Sequence, residues 1–275
     1  VPIPNKTGIA VGENARSNFI GTAEGAPNII SGNTDAPGYG ILLGTLTLNP
    51  SEDILPRQNT FVKNRIGIGP NLTTISNTKG FVLVQAVQNT IGGDTDALAN
   101  IIVASVEEGL SLLDGTRENT LLKNYIGVLP SGLGSRANGL SPLSPGGGTY
   151  GNGGHGIKVF GVGVVGNKIL NSVIGNNGGN GIEVDCPNAP PSAEPQTLIA
   201  GNHIGVTLDQ AGTSIVNIAN TLSGILIKNT ANVQIGDIGA NAGNTIGGNG
   251  EHGIKLTGKA PNPAPPIFRD GPIPF

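Results

Sequence analysis

The sequence predicts an all-β protein, a right-handed parallel β-helix (solenoid) of roughly eight to ten rungs with loop insertions. Three observations support this prediction: short strand patterns recur, glycine is unusually frequent, and large side chains are scarce. Of the 275 residues, 46 are Gly, only 3% are aromatic, and Trp and Met are absent. Isoleucine, valine and leucine must therefore fill the interior, which favours thin regular layers over an irregular globule.

Two short units alternate along the chain. The first is the tetrad Asn-x-Ile-Gly, which begins at Asn18, Asn64, Asn89, Asn124, Asn202 and Asn244. The second is Gly followed by apolar-x-apolar, which begins at Gly8, Gly40, Gly80, Gly109, Gly156, Gly181, Gly224 and Gly253. Each unit has the period-two alternation of a short strand. An antiparallel sandwich does not need the same residues in every strand, whereas a solenoid does, because each rung stacks in register on the one below.

The asparagines that open the tetrads are predicted to form a structural ladder. Asn tolerates left-handed backbone conformations, and its amide can bond to its copy on the next rung, about 4.8 Å away. The Gly that ends each tetrad permits a tight turn between sheets. We also predict that the isoleucines of these units stack inward on one sheet. They are Ile20, Ile66, Ile91, Ile126, Ile174, Ile204, Ile235 and Ile246.

The repeats predict a single β-helix domain over residues 1–258. Segments near 44–58, 131–152 and 186–197 break the rhythm and are rich in Pro, Gly or Ser, so we predict that they are loop insertions. Residues 259–275 are Pro-rich and cannot pair as a central strand, which predicts a tail or linker arm.

The repeat segments resemble those of one large family. Asn89-Thr-Ile-Gly-Gly, Asn28-Ile-Ile-Ser-Gly-Asn and Asn124-Tyr-Ile-Gly-Val resemble the parallel β-helix repeats of the pectin-lyase-like superfamily, in its bacterial surface and secreted type. The resemblance covers residues 7–258 and implies an extracellular or cell-surface location. That fold hosts lyases, hydrolases, epimerases, tailspikes, adhesins and fibres, so the resemblance does not select a function.

A pair of neighbouring carboxylates is the first candidate for a catalytic site. Glu183 and Asp185 would point outward from one strand and could form a paired-acid catalytic site. The competing interpretation is that Lys158, one rung away, forms an ordinary surface ion pair with Glu183. We predict no catalytic residues and no cofactor, with Glu183 and Asp185 as the weak alternative.

Metal sites are the second possibility. Asp94 and Asp96 share a turn, for which a capped turn is the preferred explanation and weak Ca²⁺ binding is the alternative. His155 and His252 occupy the same repeat position but lie several rungs apart, so they cannot bind one metal. His203 stands at a tetrad position that varies between copies. We therefore predict no metal site.

Composition limits the partners of this protein. The formal net charge is −3 and no Lys/Arg cluster occurs, so nucleic acid is a poor partner. No apolar run is long enough to span a membrane. A surface glycan remains possible, although exposed aromatic side chains that stack on sugars are few.

Two classes of function remain open. The first is a non-catalytic structural or interaction protein, such as a surface fibre, an adhesin stalk or a head-to-tail filament subunit. The alternative is a carbohydrate-active enzyme, namely a polysaccharide lyase, hydrolase or epimerase. The sequence shows no capping helix before Gly8 or after Gly258, so either the chain is a fragment whose caps lie elsewhere or its ends meet those of neighbouring subunits. In the second case removing residues 259–275 should weaken the fibres.

Overall fold

The computed structural model describes residues 4–45, 47, 50–130, 150–187, 197–209, 211–239 and 242–258. Across this part of the chain the strands form three long parallel sheets, and the helices are two single turns, Glu52–Ile54 and Asp96–Leu98. The predicted tail, 259–275, lies outside the described residues, as does most of each of the predicted insertions near 131–152 and 186–197.

Each coil of the chain contributes one strand to each of the three sheets. The first sheet contains Thr7–Val11, Tyr39–Gly44, Lys79–Val84, Leu110–Leu113, Ile157–Phe160, Ile182–Asp185, Ile225–Lys228 and Ile254–Thr257. The second contains Phe19–Ile20, Thr60–Phe61, Thr90–Gly92, Thr120–Leu122, Asn167–Leu170, Thr197–Ala200 and Val233–Ile235. The third contains Asn28–Ile30, Asn64–Ile66, Ile101–Ile102, Tyr125–Ile126, Val173–Ile174, His203–Ile204 and Thr245–Ile246.

The order of these strands confirms the predicted parallel β-helix. The chain visits the first, second and third sheets in turn, and each strand pairs in parallel with the strand one coil earlier and one coil later. Within the described residues this makes seven complete coils and an eighth strand in the first sheet. The right-handed sense of the coil remains a prediction from the rule for parallel crossovers.

The interior consists of apolar stacks that run the length of the coil. In the first sheet Ile157, Ile182 and Ile225 lie in register on successive coils, and all three are fully buried. Aromatic side chains enter the core where two coils contact each other. The rings of Phe61 and Phe81 meet edge to face, 4.9 Å apart at 78°. Alternate residues of the short strands therefore pack inward, as the period-two pattern of the sequence predicts.

The predicted single stack of isoleucines is wrong, because these residues divide between two sheets. Ile20, Ile91 and Ile235 belong to the second sheet. The third sheet holds Ile66, Ile126, Ile174, Ile204 and Ile246. All eight pack in or against one core. Since the second and third strands of a coil are both short, the same tetrad fits either position.

The connection after the strand Asn64–Ile66 leaves the coil in a turn closed by the antiparallel bridge of Ile68 with Thr74, and two further described segments also leave it. The predicted insertion near 44–58 follows Tyr39–Gly44 and contains the helical turn Glu52–Ile54. The other is an antiparallel hairpin of Val206–Leu208 with Ile215–Asn217, which we did not predict. The alternating sequence of these two strands resembles that of the solenoid strands. The difference is that the hairpin strands pair with each other, whereas solenoid strands pair with strands of neighbouring coils.

No helix in the part of the chain described by the structure has the length and apolarity needed to cross a membrane.

Asparagine ladders and the candidate functional site

Three ladders of asparagine side chains follow the corners of the coil. The ladder before the second sheet contains Asn18, Asn59, Asn89, Asn119 and Asn167. The ladder before the third sheet contains Asn28, Asn64, Asn100, Asn124, Ser172, Asn202 and Asn244. The ladder before the first sheet contains Asn5, Asn33 and Asn77, then Asn152, Asn177, Asn220 and Asn249.

The bonding within a ladder has a constant direction. Asn64 Nδ2 donates to Asn100 Oδ1 at 2.9 Å, and Asn100 Nδ2 donates to Asn124 Oδ1 at 3.0 Å. The same amides also bond to the backbone, since Asn124 Nδ2 donates to the Ile91 carbonyl at 2.8 Å. Each amide therefore joins three segments of chain, which fixes the corners where regular strand pairing stops.

The six asparagines that we predicted belong to two of these ladders. Asn18 and Asn89 lie before the second sheet, and the other four lie before the third. The ladder before the first sheet was missed. A signal for it exists in the sequence, because Asn152, Asn177 and Asn220 each stand four residues before a Gly-Ile pair.

The predicted acids lie on the outer face of the first sheet, beside other charged side chains. We call the cluster of Glu108, His155, Lys158, Glu183, Asp185 and Lys228 the charged face. Within the strand Ile182–Asp185, Glu183 is only 8% exposed and Asp185 only 9%. Both acids thus lie on the outer face, as predicted, but neighbouring side chains cover most of their surface. Neighbouring coils lie so close that side chains from adjacent rungs cover each other.

Glu183 accepts hydrogen bonds from two neighbours. His155 Nε2 lies 3.2 Å from Glu183 Oε2, and Asn180 Nδ2 donates to the same oxygen at 3.0 Å. The other ring nitrogen, His155 Nδ1, accepts the Asn180 backbone N–H at 3.0 Å. With Nδ1 used as an acceptor, the hydrogen-bond pattern assigns the proton of a neutral ring to Nε2, which donates to the carboxylate.

The remaining charges of the cluster are paired with one another. Lys158 is the register partner of Glu183, but its Nζ lies 3.3 Å from Glu108 Oε1, so the predicted Lys158–Glu183 ion pair is corrected to Lys158–Glu108. Lys228 Nζ lies 3.0 Å from Asp185 Oδ2. Burial raises the pKa of Glu108, but its own backbone N–H and Lys158 hold it below the ordinary value. Each of the three carboxylates is thus partnered by a neighbouring side chain, which suits stabilisation of the fold better than acid–base exchange with a substrate.

The two acids considered for a metal site lie apart from the charged face. Asp96 Oδ1 lies 3.7 Å from Lys123 Nζ, and in the part of the chain that the structure describes no third His, Cys, Asp or Glu side chain joins Asp94 and Asp96. Among the described residues, no group of three His, Cys, Asp or Glu side chains could hold a metal ion. Cys186 is buried, and burial raises the pKa of its thiol to about 12, so the thiolate nucleophile does not form at neutral pH.

Protonation of His155 is expected to destabilise the fold. Burial lowers the pKa of His155 below its ordinary value; Lys158 and Lys228 lower it further, whereas Glu183 and Glu108 oppose the shift. Because the pKa is lower in the folded state, the unfolded chain binds the proton more readily. The contribution of neutral His155 to the free energy of unfolding is therefore complete above pH about 6.5, and it is lost as the pH falls through the folded-state pKa. Protonated Nδ1 also loses its bond from the Asn180 N–H.

Denaturant unfolding as a function of pH tests this expectation. The denaturant midpoint of the wild type should fall from about pH 7 to about pH 5 by more than that of His155→Gln. His252→Gln, which replaces an exposed histidine, is the matched control. Equal slopes for the wild type and His155→Gln would contradict the assignment.

Comparison with protein-family models gives no match, and no curated protein and no solved structure matches the chain.

Proposed function

We propose that the protein is a non-catalytic structural or interaction protein at the cell surface or outside the cell, built as a rod of the pectin-lyase-like type. The observation that carries the proposal is that asparagine ladders join successive coils at all three corners over much of the described coil. A rod that transmits force or displays a surface needs every coil fixed to the next. The pairing of carboxylates and cations on the charged face supports the same proposal, because it leaves these acids without a free catalytic role.

Ladder direction favours assembly from head to tail. Asn28 donates its amide toward the C-terminal coils, and Asn202 donates in the same direction to Asn244. An amide carries two N–H hydrogens, so the C-terminal edge offers a ladder donor where the N-terminal edge offers an acceptor. Two copies stacked end to end would join the ladder before the third sheet of one copy, which ends at Asn244, to its equivalent in the next, which begins at Asn28. Such contacts are heterologous and build filaments.

The apolar core supports the same arrangement. Ile254 and Leu256 continue the stacks of buried Ile225 and Ile227, but they are 43% and 73% exposed on the last described coil. A second copy of the chain, whose first coil has the same sheet order, would cover them. Contiguous exposed apolar residues at a sheet edge that no other described strand pairs with are typical of an interface.

Sedimentation velocity and negative-stain electron microscopy test the assembly. We expect filaments whose axis runs along the solenoid, and we expect Leu256→Lys to shift the protein to monomers because it places a charge in the joint. The matched control is Val162→Lys, since Val162 is also exposed but lies on the side of the coil. A wild-type protein that stays monomeric at high concentration would overturn the head-to-tail proposal.

The carbohydrate-active alternative has its own test. Incubation with a polysaccharide panel should release no new reducing ends and no unsaturated products. Cleavage that disappears in the Glu183→Gln/Asp185→Asn double variant would overturn the non-catalytic proposal, and folding of that variant would be checked by circular dichroism.

A further inference from the structure

A groove on the outer face of the second sheet lies near the N-terminal end of the rod. It has a volume of about 640 Å³, and we call it the end groove. Its lining is mostly apolar and includes Phe19, Leu98 and Leu122, together with the carboxylate of Asp94. Phe19 is 76% exposed, whereas Leu98 and Leu122 are half-buried. The end groove therefore presents apolar side chains that the described part of the chain does not cover.

The solenoid register explains the shape of the end groove. Gly92 pairs with Leu122 on one side, and it follows Ile91, which pairs with Phe61 on the other. Gly92 thus stands between Val62 and Leu122 in one outward column of the second sheet. A missing side chain between two apolar ones leaves a depression in the sheet surface, which a large apolar side chain from another segment can fill.

Residues 259–275, which lie outside the described residues, have the sequence of a groove ligand. These seventeen residues contain six prolines together with Ile267 and Phe268. Pro-rich segments favour the extended polyproline II conformation, and grooves with aromatic side chains bind them in that conformation at low entropic cost. Arg269 follows Phe268 directly, and its charge complements that of Asp94 in the lining.

The order of the sheets places the start of this segment on the same side of the rod as the end groove. In each coil a strand of the first sheet is followed by a strand of the second. Residues 259–275 follow the strand Ile254–Thr257 of the first sheet, so they begin near the corner that leads to the second sheet. On a copy stacked at this end, the end groove covers the first four coils, within about 20 Å of that corner. Seventeen residues of polyproline II extend about 50 Å, which is long enough to follow it.

The end groove of the same chain is further away. It lies four to seven coils back, about 19–34 Å along the axis, and the segment would have to reverse its direction along the rod to occupy it. The next copy offers the same groove directly across the joint, where exposed Ile254 and Leu256 also favour a second copy. The geometry therefore favours an exchange between copies.

We propose that residues 259–275 of one copy dock in the end groove of the next, with Phe268 in the depression at Gly92 and Arg269 beside Asp94. The inference rests on the proposed head-to-tail assembly and deepens it, because it names the segment that secures the joint and the surface that receives it. It also gives the physical reason why removing residues 259–275 should weaken the fibres.

Cysteine cross-linking in the full chain tests the docking. Thr90→Cys and Phe268→Cys chains are mixed before assembly and then treated with a short bismaleimide; native Cys186 is buried and does not compete. We expect a covalent dimer on a denaturing gel. Leu198→Cys in place of Thr90→Cys is the matched control, since Leu198 lies in the same outward column three coils further along. This control mixture should give no dimer.

The concentration needed for filament formation gives a second measurement. Phe268→Asp and Thr90→Lys should each raise it roughly tenfold, because each places a charge where an apolar side chain is buried. Phe268→Leu, which keeps an apolar side chain, and Leu198→Lys, which lies outside the end groove, should assemble at nearly the wild-type concentration. Circular dichroism checks that Thr90→Lys remains folded.

The outcomes separate the docking from the assembly itself. Wild-type filaments without a cross-link between the Thr90→Cys and Phe268→Cys chains overturn the docking alone. So does a cross-link that forms only within single chains of the Thr90→Cys/Phe268→Cys double variant, because the segment then occupies its own groove. A wild type that stays monomeric overturns the docking together with the head-to-tail assembly.

Discussion

The Gly92→Ala variant is expected to lose about 4 kcal/mol of its free energy of unfolding, close to the upper end for a single substitution. Gly92 ends the tetrad that begins at Asn89 and has φ +94°. A Cβ on Gly92 would lie 1.9 Å from the Leu122 carbonyl oxygen and 2.9 Å from Asn124 Oδ1 on the next coil. The backbone of that coil must move, and the movement breaks both strand pairing and the ladder.

Gly236→Ala separates this clash from backbone strain. Gly236 ends an equivalent unit on the last complete coil and has φ +89°, but nothing lies within 4 Å of its virtual Cβ. Its substitution should cost only the left-handed penalty of about 1–2 kcal/mol. Urea unfolding followed by far-ultraviolet circular dichroism measures both variants. Equal losses would mean that backbone strain alone, and not the spacing of the coils, requires glycine here.

The fold could be predicted from the sequence because residues that stack on successive coils have the same environment, and the sequence therefore repeats. A residue such as Ile126 contacts its copies Ile102 and Ile174 above and below, so selection for packing leaves the same residue at the same place. Sheet assignment was less accessible, because the tetrad has the same form before Ile91 in the second sheet and before Ile126 in the third. Only the spacing to the next unit distinguishes them, and the insertions disturb that spacing.

The contacts within the charged face could not be predicted in detail for a related physical reason. Its side chains meet across coils, so their neighbours depend on register and on the length of each connection. Lys158 aligned correctly with Glu183, yet its long side chain reaches Glu108 instead. His203 was noted only as a variable tetrad residue, and its position between Val173 and Thr245 emerges only when the third sheet is assembled.

The Asn124→Leu variant is expected to lose about 3 kcal/mol of its free energy of unfolding, because it leaves buried polar partners unsatisfied. Asn124 is fully buried, and its Oδ1 accepts from Asn100 Nδ2 at 3.0 Å while its Nδ2 donates to the Ile91 carbonyl at 2.8 Å. Leucine has a similar volume, so the loss reports the hydrogen bonds more than a cavity.

Asn244→Leu is the matched control at the end of the same ladder. Asn244 accepts from Asn202 at 3.0 Å and donates to the Ile199 carbonyl at 2.8 Å, but it is only partly buried. Water can replace the lost amide there, so the expected cost is about 1 kcal/mol, measured on the monomeric Leu256→Lys background. A cost for Asn244→Leu as large as that for Asn124→Leu would contradict the argument, because it would show that burial of the ladder does not set the strength of its bonds.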